Sequence, residues 1–380
     1  MKFVKNYLNY AVIGGITLIL ALLSFTGGLP ASYAYLFEKI SISIILAVSL
    51  GLVVGFLGEL SLGHASFMCV GAYFGGKIAQ LLADALGITG SSNFLVLILS
   101  LIVGAACAAL CGFIIGLPAL RLRGDYLAIV TLAFGEIVRV IFTNAESFGG
   151  AQGMATPRFD KKYLFVIGLV LVVATLAIIQ NLLKSKHGRA ITAIRDNEIA
   201  AKATGINVTK YKLIVFTISS AFAGIAGVLY SYANFNIQPS KFGYNYSIEI
   251  LVMVVLGGMG SINGSIIAAA LITYLNTKLP LILTGDLAVL QNLFYALILI
   301  ALVIYNNAPA LKGFREKYNL RNFWNKIAKP KNDPSRVRDD AARWDVVPTK
   351  IEMNEVLSTD IIVDNTGDNS ADIGERGGAK

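Results

Sequence analysis

The chain has 380 residues, of which 56% are hydrophobic and 14% charged, and it carries a formal net charge of +9. That balance excludes a soluble protein of two or three domains with alternating polar faces. Nearly uninterrupted apolar runs of about 17–23 residues recur instead, the length that crosses a hydrocarbon layer of roughly 30 Å as a helix.

Backbone groups in lipid must pair within their own segment, so these runs read as helices and the fold class as an all-α, polytopic helical membrane protein. Hydropathy with its breaks predicts about ten spans: 8–26, 39–57, 64–83, 94–116, 126–143, 163–183, 211–232, 247–258, 263–279 and 287–305. The first follows Lys2 and Lys5, and the small residues around Ala31–Ala34 after it leave open a second reading as a cleaved signal segment. The second and third spans meet at SLGH (61–64). There Ser61, Gly63, His64 and Ser66 suit either a close-packed, hydrogen-bonded helix junction or a substrate contact.

Within the third span, GAYFGGKI (71–78) fits the first seven positions of a phosphate-binding loop. It fails at the eighth, where Ile78 replaces the magnesium-binding Ser or Thr, and it lies inside an apolar helix. Cys69, Cys107 and Cys111 sit in apolar runs with no His, Asp or Glu at ligand spacing, which points to packing and to no metal site. No nucleophile elbow is present, so the chain is read as having no catalytic residues.

Arg121 and Arg123 precede the fifth span as inner-surface anchors, and Asp125 is expected to be its N-cap. If that span starts at Tyr126, Glu136 lies about 15 Å into the membrane by helical rise. A charge there costs about 2.5–3.5 kcal/mol on insertion scales and should face the bundle interior or a wet cavity. Arg139, three residues on, shares the face; the pair either lines the path of a zwitterion or locks helices together.

The segment 184–212 carries seven Lys/Arg against two acids. Inside it, GRAITAIRDNEIAAKATGIN (188–207) predicts a short helix over 197–204. Asp196 or Asn197 would start it, Glu198 and Lys202 would pair at i,i+4, and Gly205 would stop it. Ile194, Ile199, Ala200 and Ala203 are its expected apolar contacts, because a helix this short needs something to pack on.

The eighth span is short, so it either spans or re-enters. Gly257, Gly258, Gly260 and Gly264 then break the chain as a bend or a close contact. SISIILAV (41–48) and YSIEILVMVV (246–255) form a faint internal echo, each leading into a small-residue run, GELSLGHAS and GGMGSINGS. The domain reading is a permease domain over 1–306 and a tail over 307–380. The tail is basic over 312–343 and mostly acidic and polar at its end, and it holds both tryptophans, Trp324 and Trp344. Leu320, Phe323, Trp324 and Ile327 suit either a short helix on an anionic leaflet or part of a disordered tail, and 351–380 reads as disordered. Basic segments before the first span, before the fifth and after the sixth fall on one side, which predicts both termini in the cytoplasm. Arg158, Lys161 and Lys162 dissent.

EIAAKATG (198–205) resembles the Glu-x-Ala-Ala-x-x-x-Gly loop by which ABC importer permeases dock on their ATPase subunits. GELSLGHASFMCVGAY (58–73), LPALRLRGDYLAIVTLAFGEIVRV (117–140) and SIEILVMVVLGGMGSINGSIIAAAL (247–271) resemble the LivM-like branch of the high-affinity branched-chain amino-acid permeases, in the same order along 40–305. The resemblance implies a docking loop with Glu198 and Gly205 at its pattern positions and Ala200 and Ala201 keeping its face flat. It also implies a second homologous permease, two ATPase subunits that hold the ATP and magnesium, and an extracytoplasmic binding protein. No cofactor is expected on this chain and no nucleic acid as partner. The expected setting is the bacterial inner membrane and the expected cargo a branched-chain amino acid, with urea or a short amide as second choice since urea permeases are close relatives. An ion-coupled carrier using Glu136, or a scaffold presenting the tail, are other classes; the ATPase-type loop argues against a stand-alone carrier.

Overall fold

Apolar length and glycine breaks set where each helix starts and stops. The computed structural model describes residues 30–85, 93–119, 122, 124–156 and 159–282, with the isolated positions 297, 300 and 304. Its elements are α1 (Ala31–Gly51), continued by a π-helical segment (Leu52–Leu57), α2 (His64–Ala85), α3 (Phe94–Ala119), α4 (Asp125–Asn144), α5 (Lys161–Lys184), α6 (Lys186–Asp196), α7 (Glu198–Ala203), α8 (Val208–Ala233), α9 (Tyr244–Gly257) and α10 (Ile262–Ile282). The expected spans 8–26 and 287–305, the anchors Arg121 and Arg123, and the tail with its two tryptophans lie outside the described residues, the isolated positions aside.

Among the described residues, five segments are long and apolar enough to cross a membrane: Ser32–Leu57, Phe94–Ala119, Asp125–Asn144, Tyr163–Lys184 and Val208–Ala233. The second predicted span begins at Ala31 rather than 39, because ASYAYLFE already belongs to the helix. Asp125 is not the N-cap of α4. Gly124, at φ +58, holds that place, and Asp125 is the first helical residue, where its charge favours the positive end of the helix dipole. The basic loop holds two helices where one was expected, α6 and α7, separated by Asn197 alone.

α1, α2 and α8 form the interior, and backbone meets backbone where α2, α3 and α8 cross. A Cβ at Gly71 would lie 2.3 Å from the Gly224 carbonyl oxygen, and one at Gly224 2.6 Å from the Ala108 Cβ. Small residues at such crossings let dispersion act between whole helices where lipid removes any hydrophobic drive. The glycines of GAYFGGKI are part of this packing inside α2, with Gly75 against Val228. α3 turns Ile98, Ile102, Leu110 and Ile114 outward, an apolar face suited to lipid or a neighbouring subunit.

At the far ends of α2, α4 and α8, two short strands, Met154–Ala155 and Asn236–Ile237, pair antiparallel with Met154 opposite Ile237. Tyr73 stacks on Phe142 at 4.4 Å and donates to the Ile237 carbonyl at 3.0 Å, closing the end of the bundle with aromatic rings. The chain then turns through Pro239–Phe242 into α9, whose 14 residues span only about 21 Å.

Candidate functional site

The two echoing segments converge in space. α1 ends in a π-helical turn closed by Gly58 at φ +81, and α9 ends in a turn through Gly258 and Gly260 at φ +90 and +85. A Cβ on Gly55 would lie 2.4 Å from the Gly260 nitrogen, so the two breaks rest directly on each other. Gly257 and Gly264 make a second backbone contact, with a Cβ on Gly264 only 1.7 Å from the Gly257 oxygen. All four glycines proposed as helix breaks thus serve either the turn itself or close packing beside it.

Over this junction sits the polar segment. The Arg195 guanidinium, from the end of α6, donates to the Gly55 carbonyl at 3.1 Å, and its aliphatic stem lies against Gly58. π-Helical geometry uses i→i+5 bonds and often marks functional sites. Asn197 caps α7 by accepting from the backbone N–H of Ile199 and of Ala200, both at 3.0 Å; such a cap is worth about 1 kcal/mol. Gly205, at φ +85, takes the left-handed place after the helix.

Glu198 links this helix to the interior. One carboxylate oxygen accepts from Lys202 at 2.7 Å, the other from Lys212 at 3.1 Å. Lys212, near the start of α8 and 3% exposed, also donates to Glu59, just past Gly58. Lys202, Glu198, Lys212 and Glu59 therefore alternate in sign from the surface inward, and their formal charges cancel. Neither Glu59 nor Lys212 was singled out in sequence. The signal was available, because an ionisable residue at the edge of an apolar run calls for a partner.

The faces of α7 differ from expectation. Ala201 is buried at 4% exposure and is the residue that packs α7 onto its own chain, so it cannot form part of an outward docking face in this conformation. Ile199, at 74% exposure, points away with Ala200 and Ala203; of the four expected apolar contacts only Ile194 is buried. A six-residue helix has one inward position per turn, and the Glu198–Lys212 anchor fixes which one it is.

Hydrogen bonding from Lys202, aided by Lys212 against the opposing effect of partial burial, holds the Glu198 carboxyl below its ordinary value of 4.5. Because pairing with Lys202 and Lys212 in the fold lowers this pKa, the stabilisation is complete above the ordinary value and is lost as pH falls through the lowered one. Amide exchange across 198–203 should therefore show extra opening only in that acid range. Extra opening that begins near neutral pH would contradict the assignment.

The candidate path residues divide into two groups. Ser61, His64 and Ser66 are all buried: His64 Nε2 lies 2.9 Å from Ser49 Oγ, Ser66 bonds to the Gly63 carbonyl, and Leu62 N–H donates to Thr131 at 3.0 Å. The SLGH junction is packed and hydrogen-bonded. Ser61 Oγ is buried and has no hydrogen-bond partner among the described residues. Glu136 and Arg139 do pair, at 2.7 Å, with both side chains about one-third exposed at 31% and 34%. The second Glu136 oxygen accepts from the Tyr244 N–H at 3.2 Å, so a carboxylate of α4 satisfies an orphan donor at the positive end of α9.

A family profile described as "Branched-chain amino acid transport system / permease component" matches residues 32–304. The chain is 39% identical over 264 residues to the high-affinity branched-chain amino acid transport system permease protein LivM of Salmonella typhimurium, covering 61% of this chain and 60% of that relative. It is 33% identical over 272 residues to a probable branched-chain amino acid transport permease LivM of Methanocaldococcus jannaschii, covering 62% and 77%. The ribose import permease RbsC of Escherichia coli is 28% identical over 290 residues, covering 71% and 84%. The match thus spans less than two thirds of the first relative's length. No solved structure matches the chain.

Proposed function

The chain belongs to the family of permease components of branched-chain amino acid transport systems, and on that premise we propose that it is one half of the translocation path of an ATP-driven importer of branched-chain amino acids. It is a membrane-embedded subunit that itself catalyses no reaction. In this reading a second permease completes the path, two ATPase subunits bind ATP and magnesium, and an extracytoplasmic binding protein delivers the cargo across the bacterial inner membrane. The basic segment 184–212 then faces the cytoplasm.

One observation carries the reading. α7 offers Ile199, Ala200 and Ala203 outward while Arg195 and Glu198 fix its base to the two helix breaks. An outward face alone would be a surface feature; an outward face tied to the helix junction can pass a push on α7 to α1, α8 and the α9–α10 turn. Alternating access needs such a link, since binding energy shifts a conformational equilibrium only where it acts differently on the two states.

Ile199→Asp tests the assignment. Ile199 is 74% exposed, and a carboxylate there would at most compete with Glu198 for Lys202 at the helix surface, so the chain's own stability should change by no more than about 1 kcal/mol, the range of an exposed ion pair. The substitution should also abolish co-extraction of ATPase subunits with the tagged chain and stop leucine uptake. ATPase subunits that co-extract undiminished with Ile199→Asp would overturn the docking face.

A further inference from the structure

Away from the α6–α7 segment, a cavity of about 400 Å³ lies between α1, α8, α9 and α10. That is within the roughly 300–1,000 Å³ of small-molecule sites. Lys39, about 12 Å along α1, reaches its wall, as do Lys241 and the Glu249 carboxylate of α9. Lys39 follows the buried Glu38 in the largely apolar α1, and Glu249 is the one Asp, Glu, Lys or Arg of α9; an ionisable group in such a helix marks a site by default.

No ion pair joins Lys39 to Glu249 among the described residues. The Lys39 ammonium instead lies over the Tyr35 ring, 4.6 Å from its centroid, and Asn276 donates to one Glu249 oxygen. Thr273, on the same wall and only 6% exposed, has no hydrogen-bond partner for its hydroxyl among the described residues. Buried polar atoms are almost always paired, so this hydroxyl points to a ligand. Ile42 and Phe242 supply apolar wall beside the polar groups.

We propose that this cavity binds an α-amino acid as its zwitterion during passage, the carboxylate drawn to Lys39, the ammonium to Glu249, and the aliphatic side chain toward Ile42 and Phe242. The inference rests on the importer reading and sharpens its choice of cargo. Lys39 and Glu249 already attract each other across the cavity without touching, and a zwitterion can place a carboxylate against one and an ammonium against the other; urea or another uncharged amide carries neither group.

The test uses the whole importer in proteoliposomes, with radiolabelled leucine and its binding protein. Assembled Lys39→Met and Glu249→Gln importers should each lose at least about tenfold in maximal uptake, the scale of removing one partner of a desolvated charge contact, with Lys39→Arg keeping most of it. Uptake within about twofold of the parent for either neutralised variant would overturn the site. If a neutralised variant fails to assemble, Thr277→Cys, on the cavity wall, is labelled with a thiol reagent in a background with Cys107 and Cys111 replaced by Ser. Protection by leucine supports the site, and unchanged labelling overturns it. A parent importer that takes up urea and no leucine removes the amino-acid reading itself, a result distinct from failure of the variants alone.

Discussion

Lys212→Met should be the most damaging single change in the α6–α7 anchor, lowering the stability of the extracted chain by about 3–5 kcal/mol. Lys212 is 3% exposed and is the ammonium between Glu59 and Glu198. Its removal leaves Glu59, 9% exposed, without its counter-charge, and an unpaired buried charge costs far more than the pair contributes. The double variant Glu59→Gln with Lys212→Met should therefore recover much of the loss, because two neutral groups replace a stranded carboxylate. A double-mutant cycle on thermal unfolding reads both effects. A single-variant loss within the range of an exposed pair, about 0–1 kcal/mol, with no recovery in the double variant, would mean that water reaches the Lys212 ammonium.

The second large effect concerns the crossing of α2, α3 and α8. Gly224→Leu should leave little folded chain in the membrane, at or beyond the top of the ~1–3 kcal/mol typical of overpacking. The obstruction cannot rotate away: a Cβ at 224 would meet the Ala108 Cβ at 2.6 Å, the Gly104 carbonyl oxygen at 2.7 Å and the Cα of Ala105 at 3.2 Å. Gly205→Ala makes the contrast. Nothing lies within 4 Å of a Cβ there, and the only obstacle is φ at +85, so the loss should be about 1–2 kcal/mol and local to α7. Protease resistance of the two variants in native membranes separates the cases. Equal resistance would show that the helix crossing has room to open.

Much of this was legible because it is local. The Asn197 cap, the Glu198–Lys202 pair and the Gly205 stop depend on neighbours within eight positions, and hydropathy alone locates most of the helices. The Glu136–Arg139 pair follows from i,i+3 spacing, while its bond to Tyr244 does not, since 108 residues separate them. Glu59 and Lys212 are 153 apart, and only the fold brings them together. The inward turn of Ala201 was missed for a related reason. Alanines at 200 and 201 look alike in sequence, and the anchor from α8 decides which one is covered.

The π-helical segment at the foot of α1 gives this helix slack that no other helix among the described residues has. An i→i+5 ladder closes each ring with one residue more than an i→i+4 ladder. The two can exchange by handing that spare residue along the helix, much as a fold travels through a carpet. Such a slip turns the lower end of α1 against its upper end while unpairing few bonds at a time. Gly55, whose carbonyl holds Arg195, lies within the segment that would slip. The register of this segment therefore sets where the Gly55 carbonyl stands, and with it both the hold on Arg195 and the fit against Gly260.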